Sequence, residues 1–248
     1  MFTPAGRDEL RAALIAASRA DERITGAALT GSASVGNEDR WSDIDLAFGF
    51  AAGTDIGAAI AEWTAVMYSD HGAVGQVDVI RGAVTYRVFL LASTLQVDLA
   101  FAPAADFGAV APTFRLLFGT AVQRTPHPPP AAAELIGLAW LYGLHARSSI
   151  ARGRGWQAEY MISGVRDYVL ALACLRHGVP AVEGRGLHLL PTDVTGPLAA
   201  SLVRSLDGDE LTRAFGVATE ALIAEIGHAD AELAGRLAAP LRELAGLP

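Results

Sequence analysis

The first hundred residues contain short apolar runs in which polar residues often alternate, a pattern that predicts β-strands. Before them, residues 8–20 place Leu10, Leu14 and Ile15 at helical spacing, and residues 54–69 repeat that spacing after the second run. The connections after the third and fourth runs are two or three residues long, which suits antiparallel hairpins, so we expect a mixed sheet. The five predicted strands are ITGAALTG, SDIDLAFGF, AVGQVDVI, VTYRVFLL and TLQVDLAF.

The pattern changes after Phe101, where several prolines disfavour regular structure and few segments have the alternation typical of strands. Helical spacing then predicts helices over 131–152 and 156–177, and a long apolar stretch over 209–245 that Gly227 or Gly235 divides. The segment between the second and third of these reads as irregular connection. We therefore expect an α+β fold, with a mixed-sheet domain over residues 1–120 and an all-helical C-terminal domain over 125–248.

Composition narrows the classes of partner that the protein is expected to bind. The net charge is −8 and all 19 basic residues are Arg, which argues against a protein that grips nucleic-acid backbones. There is one cysteine, no apolar run long enough for a membrane span and no secretory signal at the start, so we expect a cytoplasmic protein without nucleic-acid or membrane partners.

The segment that indicates chemistry is GSASVGNEDRWSDIDL, residues 31–46. Gly31 and Ser32 follow a predicted strand, where backbone N–H groups and a small hydroxyl can approach a phosphate. Asp43 and Asp45 lie two apart on the next strand and project from one face. Two carboxylates this close repel unless a cation lies between them, and Mg²⁺ is the oxygen-seeking ion that also bridges nucleotide phosphates.

Gly-Ser, a spacer and then Asp-x-Asp on the next strand resembles the signature of the nucleotidyltransferase superfamily that includes DNA polymerase β, and especially its small aminoglycoside- and lincosamide-modifying members. The resemblance implies Mg²⁺, as two ions, bound by Asp43 and Asp45, and a triphosphate contacted by Gly31 and Ser32. Ser42 is expected to add a phosphate or metal-shell contact.

The family pattern includes a third acid on a later strand, and two residues fit it. Asp78 in QVDVI and Asp98 in QVDLA are both flanked by apolar strand residues. We favour Asp98 as the third metal ligand, because its apolar flanks imply burial and a buried acid requires a partner or a metal. Asp78 has Arg81 three residues away and can be explained as an ion-paired residue at a sheet edge.

The helical half supplies candidates for proton transfer and acceptor binding. An apolar stripe over residues 161–175 leaves Glu159, Ser163 and Arg166 on another helix face. In the resembling antibiotic adenylyltransferases a carboxylate can serve as general base, and Glu159 is our first choice for that role, with Asp167 second. Arg166 is a candidate nucleotide ligand, although a solvated face with ordinary ion pairs explains these residues equally well.

Together these features predict a Mg²⁺-dependent nucleotidyltransferase. It would transfer a nucleoside monophosphate from an NTP, by resemblance ATP, to a hydroxyl of a small molecule such as an aminoglycoside or a lincosamide, and release pyrophosphate. Two alternatives stay open: an adenylyltransferase that modifies a protein, as antitoxins do, and a non-catalytic nucleotide-binding module. The sequence also leaves a homodimer open.

Overall fold

A computed structural model describes residues 1–126 and 128–246 of the chain. It divides the chain into two compact units, Met1–His127 and Pro128–Pro248. Among the described residues, no helix is both long enough and apolar enough to cross a membrane.

The first unit combines helices and strands, and five of its strands lie where the sequence predicted them. Its elements in chain order are α1 (Pro4–Ala20), β1 (Ile24–Thr30), α2 (Gly31–Ser34), β2 (Ile44–Phe50), α3 (Ile56–Ser69), β3 (Ala73–Arg81), β4 (Val84–Leu91), β5 (Gln96–Pro103) and β6 (Phe114–Gly119).

In the described part of the unit, the strands form one sheet of six in the order β3-β4-β5-β2-β1-β6. The hairpins β3–β4 and β4–β5 are antiparallel, as are the pairs β1–β2 and β1–β6. Only β2 and β5 run parallel among these pairs, because the chain between them passes through α3 and the β3–β4 hairpin. The expectation of a mixed sheet in an α+β fold is confirmed.

The core of this unit lies on one face of the sheet. Alternate residues of β2, namely Ile44, Leu46, Phe48 and Phe50, are almost fully buried. Helices α1 and α3 contribute Leu14, Trp63 and Met67 to the same apolar cluster. Since side chains alternate between faces, this burial fixes which way β2 points. Asp43 and Asp45 must therefore project from the opposite face.

That opposite face carries a smaller apolar cluster that includes Phe107, with Tyr86 and Phe114 packed against it. Gly26 and Gly49 pair across β1 and β2. A Cβ added to either would lie less than 3 Å from the ring of Phe107. The absence of side chains at these two positions thus lets the Phe107 ring lie close against the strands. Asp45 lies further along β2 on the same face.

The second unit is helical in its described part. Its α-helices are α4 (Ala132–Ala151), α5 (Gly155–Arg176), α6 (Thr192–Leu198), α7 (Gly208–Ala229) and α8 (Ala231–Leu244). Its main apolar cluster draws on α4, α5, α7 and α8, including Ile162, Val169, Phe215 and Leu222. Because the buried residues of each helix recur at helical spacing, the sequence pattern predicts these helices.

The structure differs from the predicted elements at three places. β6 was not predicted, and it pairs with β1 along the sheet edge. The segment expected to be irregular contains α6 and a short 3₁₀ helix, Leu187–Leu189. The long C-terminal stretch divides at Asp230 rather than at Gly227 or Gly235. Asp230 has an extended backbone and its carboxylate accepts a hydrogen bond from Leu233 N–H, so it caps α8.

Candidate metal and nucleotide site

Parallel pairing of β2 and β5 brings three acids together. Asp45 lies directly beside Asp98 in the register, and Asp43 is two residues before Asp45 on the same face. One carboxylate oxygen from each of Asp43, Asp45 and Asp98 lies within 4.8 Å of the others, and all three residues are half-buried. Oxygen ligands from three carboxylates at such spacing suit a hard divalent cation.

Gly31 lies against this cluster. It has a φ of +60°, and a Cβ there would be 2.0 Å from Oδ2 of Asp45. A side chain at this position would therefore collide with the carboxylate as well as strain the backbone. The strand-to-helix turn after β1 approaches Asp45 so closely only because residue 31 is glycine.

Ser32 is the next residue of this turn and is half-buried. Its carbonyl accepts hydrogen bonds from Val35 N–H and Asn37 N–H, which hold the turn. Within residues 1–126 and 128–246, its hydroxyl has no hydrogen-bond partner. The hydroxyl predicted to contact a triphosphate is thus available for a ligand.

Gln96 belongs to this site, although the sequence reasoning did not identify it. Its side-chain amide donates to Oδ1 of Asp98 at 3.0 Å and to Oδ2 of Asp43 at 3.3 Å. One amide therefore connects acids on two strands and holds them in a fixed arrangement. A signal existed, because Gln96 lies two residues before Asp98 and so shares its face of the strand.

Arg7 on α1 holds the segment that leads into the acids. Its side chain is almost fully buried and donates to the carbonyls of Asp39, at 2.6 Å, and Ser42, at 3.2 Å. Glu38 forms ion pairs with both Arg7 and Arg11. The backbone just before Asp43 is thereby fixed to α1, a contact that no local sequence pattern indicated.

The Ser42 hydroxyl forms its hydrogen bonds within that segment. Its hydroxyl donates to a carboxylate oxygen of Asp39 at 3.1 Å and accepts from Asp39 N–H at 2.9 Å. Hydrogen bonds from Trp41 N–H and the Ser42 hydroxyl lower the pKa of Asp39. The structure therefore places the Ser42 side chain in a turn, and its predicted contact with phosphate or metal stays a prediction.

The other candidate for the third acid is engaged elsewhere. Asp78 lies on β3, the edge strand at one end of the sheet order. Arg87 on β4 donates to both of its carboxylate oxygens, at 2.7 and 2.6 Å, and this pairing lowers the pKa of Asp78. Asp78 therefore forms an ion pair, as the second explanation predicted, and its partner Arg87 lies across the hairpin.

An exposed apolar surface continues from the acids along the same sheet face. The register places Val77, Val88, Asp98 and Asp45 side by side on four neighbouring strands. Val77 remains 59% exposed, and Leu90, which pairs with Gln96, remains 52% exposed. A ligand bound at the acids would therefore lie beside apolar side chains that solvent can reach.

Glu159 and Arg166, predicted from the sequence as base and nucleotide ligand, lie in the second unit on α5. The Ser163 hydroxyl donates to Glu159 at 2.6 Å, and Arg166 donates to Ser163 at 2.8 Å and to the carbonyl of Ser201 at 3.4 Å. The expected shared face of Glu159, Ser163 and Arg166 is therefore present as a hydrogen-bonded chain. Their predicted roles in transfer stay predictions.

No protein-family model matches this chain, and no curated protein matches its sequence. Among solved structures, the chain is similar to an aminoglycoside 6-adenyltransferase from Bacillus subtilis. The identity is 11%, the match covers 93% of this chain and 95% of that chain, and the TM-score is 0.35.

Proposed function

We propose that this chain is a Mg²⁺-dependent nucleotidyltransferase that transfers a nucleoside monophosphate from an NTP, with ATP the first choice, to a hydroxyl of a small molecule. The observation that carries the proposal is the convergence of Asp43, Asp45 and Asp98 across the parallel strands β2 and β5. Asp43 and Asp45 belong to the Asp-x-Asp motif, and Asp98 is the residue that we favour over Asp78 as the third metal ligand.

The donor set fits divalent metal. Three like charges with oxygens within 4.8 Å of one another repel, and a cation among them relieves that repulsion. Gln96 donates one amide to two of them, which orients the carboxylates without neutralising their charge. Mg²⁺ ions held there would neutralise charge on the α-phosphate and lower the pKa of the acceptor hydroxyl.

The turn after β1 supplies the phosphate side of the proposed site. Gly31 brings the backbone against Asp45, and the Ser32 hydroxyl of the same turn is available for a ligand. A triphosphate contacted by this turn would lie next to the acids that hold the metal. This adjacency supports nucleotide binding over a metal site with a purely structural role.

In the proposed reaction the acceptor oxygen forms a bond to the α-phosphorus, the bond from that phosphorus to the bridging oxygen breaks, and pyrophosphate leaves. The proton of the acceptor hydroxyl passes to a carboxylate, for which Glu159 is our first choice and Asp167 our second. Arg166 is proposed to contact phosphate. The net charge of −8 favours a cationic acceptor, so aminoglycosides and lincosamides are the first compounds to test.

The test measures pyrophosphate release with each of the four NTPs against a panel of these acceptors, together with Mn²⁺ binding by calorimetry in the absence of acceptor. Asp45→Asn and Asp98→Asn should each lose Mn²⁺ binding and lower turnover by roughly 10³-fold or more. The matched control is Asp78→Asn, which changes an acid in the same Gln-Val-Asp context outside the cluster.

Asp78→Asn should keep both Mn²⁺ binding and turnover, although it loses its ion pair with Arg87. Normal activity of folded Asp45→Asn would refute the metal assignment. Wild-type protein that binds Mn²⁺ and NTP but releases no pyrophosphate with any acceptor, protein acceptors included, would favour the non-catalytic alternative.

A further inference from the structure

A pocket of about 680 Å³ lies wholly within the second unit. Its walls come from α4, α5 and the segment 180–187. Apolar side chains such as Leu135, Leu170 and Leu187 line much of it, and two acids, Asp167 and Glu183, lie at its wall. A concave, mainly apolar site with a few polar groups is the usual form of a small-molecule site.

Three tyrosines form one side of this pocket. The ring centroid of Tyr142 lies 5.4 Å from that of Tyr168, nearly edge to face, and 6.3 Å from that of Tyr160. Tyr160 is 61% exposed, and the neighbouring hydroxyl of Tyr142 raises its pKa. Aromatic faces carry partial negative charge and attract organic cations.

Gly164 is what lets this tyrosine group form. Gly164 lies on α5 at the pocket wall, and a Cβ there would be 2.2 Å from Cδ1 of Tyr142. The ring of Tyr142, which comes from α4, therefore rests directly on the α5 backbone. A larger residue at position 164 would force the ring out of its place in the wall.

Asp167 supplies a carboxylate that forms no direct ion pair among the described residues. Across the described ranges, 1–126 and 128–246, no hydrogen bond or ion pair reaches its carboxylate, and the adjacent Arg166 donates to Ser163 and Ser201 instead. Although Asp167 keeps contact with solvent, desolvation by the surrounding protein raises its pKa. The charge of the adjacent Arg166 opposes this shift and the charge of Glu159 adds to it, so the pKa is raised overall. A bound cation would stabilise the ionised carboxylate.

We infer that this pocket binds an organic cation, a substituted ammonium or guanidinium group joined to an apolar body. The tyrosine faces and the Asp167 carboxylate would take the charged group, and the aliphatic side chains of α4, α5 and segment 180–187 would take the apolar body. The inference goes beyond nucleotidyl transfer, because such binding requires neither the acids of the first unit nor a nucleotide.

The test measures binding of choline, of benzyltrimethylammonium and of 3,3-dimethylbutan-1-ol, the uncharged isostere of choline, to the full chain by calorimetry without Mg²⁺ or NTP. Both cations should bind saturably at one site, and the isostere at least 10-fold more weakly. Asp45→Asn should leave the affinities unchanged, so a failure of the metal assignment would not affect this result.

Two surface substitutions test the wall residues. Tyr160→Leu and Asp167→Asn should each weaken cation binding by roughly 5-fold or more, since each removes one attraction for the charge. Trp156→Leu is the matched control for the first, because Trp156 is an exposed aromatic residue one turn earlier on α5 and does not line the pocket. Glu232→Gln, at an exposed acid of α8, is the control for the second.

Gly164→Ala should also abolish cation binding if the protein stays folded by circular dichroism, since the Tyr142 ring must move. The inference is overturned if the wild-type chain binds neither cation, if the uncharged isostere binds as tightly as choline, or if both wall variants bind like their controls.

Discussion

Gly31→Ala is the substitution that most directly tests whether the turn after β1 and the acid cluster act together. The added Cβ would lie 2.0 Å from Oδ2 and 2.7 Å from Cγ of Asp45. Real Cβ contacts are not this short, so the carboxylate must move by at least about 1 Å or the turn must move away. Either shift breaks the present contact between the turn and Asp45, and movement of the carboxylate also displaces it from its position beside Asp98.

Gly36 provides the matched control, because it lies in the same connection between β1 and β2. Its φ is +74°, close to the +60° of Gly31, and a Cβ there would have no atom within 4 Å. Each alanine therefore carries a left-handed backbone penalty of about 1–2 kcal/mol. Only Gly31→Ala adds the collision with a carboxylate, so the difference between the two variants isolates that contact.

The assay combines urea unfolding, Mn²⁺ calorimetry and pyrophosphate release on both variants. Gly36→Ala should lose about 1–2 kcal/mol of unfolding free energy and keep metal binding and turnover. Gly31→Ala should lose a similar or somewhat larger amount, bind Mn²⁺ weakly, and turn over about 100-fold more slowly, since a displacement of about 1 Å at a reacting site has an effect of that size. Wild-type metal affinity in a folded Gly31→Ala protein would refute this reasoning.

Three further predictions concern stability and reactivity. Hydrogen bonds from Arg23 hold the pKa of Asp21 at about 2, below the ordinary 3.8, so the ionised carboxylate stabilises the fold above pH 4 and this contribution is lost as the pH falls towards 2. In urea titrations, Asp21→Asn should therefore cost about 2 kcal/mol at pH 7, and a gap that does not shrink by pH 3 would contradict the pairing. Arg176→Met leaves the buried carboxylate of Glu225 without its ion pair and should cost about 3 kcal/mol in the same assay, most of which Glu225→Leu should restore. Cys174 is fully buried, and burial raises the pKa of its thiol, so a thiol reagent should label it only as fast as the protein unfolds, which labelling rates across a urea series would check.

The sequence predicted most elements of the first unit because their burial is regular. In β2 the residues at every second position from Ile44 fill the core, although Ala47 and Gly49 between them are buried on the other face. Helix α3 buries one side that includes Ile60 and Trp63, so its helical period agrees with the structure. β6 was missed because residues 114–119 are only partly buried and the strand depends on pairing with β1. Edge strands of this kind are stabilised by a distant neighbour, and that neighbour cannot be read from local periodicity.

The end of α7 was missed for a different reason. The sequence predicts a helix break at a glycine, but Gly227 lies inside α7 and Gly235 inside α8. Asp230 ends one helix and caps the next because its carboxylate satisfies a free N–H of α8, at Leu233. An isolated glycine is tolerated in a helix at modest cost, so a capping acid between two helical stretches was the better signal.

Some contacts of the candidate site have no local signal at all. Arg7 is an ordinary basic residue of an N-terminal helix in the sequence, and its role appears only when α1 packs beside residues 39–42. Gln96 had a weak signal, since its spacing from Asp98 places both on one face. Residues that position an acid are thus identified from contacts in the folded structure, whereas the acids themselves are identified from a sequence motif.

The choice between Asp78 and Asp98 as the third acid depends on the order of strands in the sheet, which local sequence patterns do not give. Asp78 and Asp98 occupy almost identical contexts, QVDVI and QVDLA, so the sequence favours Asp98 only through the burial that its apolar flanks imply. The register separates them: β5 pairs with β2 and places Asp98 beside Asp45, whereas β3 is two strands further out and places Asp78 opposite Arg87. An acid on the edge strand can satisfy its charge with one arginine across a hairpin. An acid beside another acid is repelled by it, and that repulsion between like charges is the physical reason to expect a cation between β2 and β5.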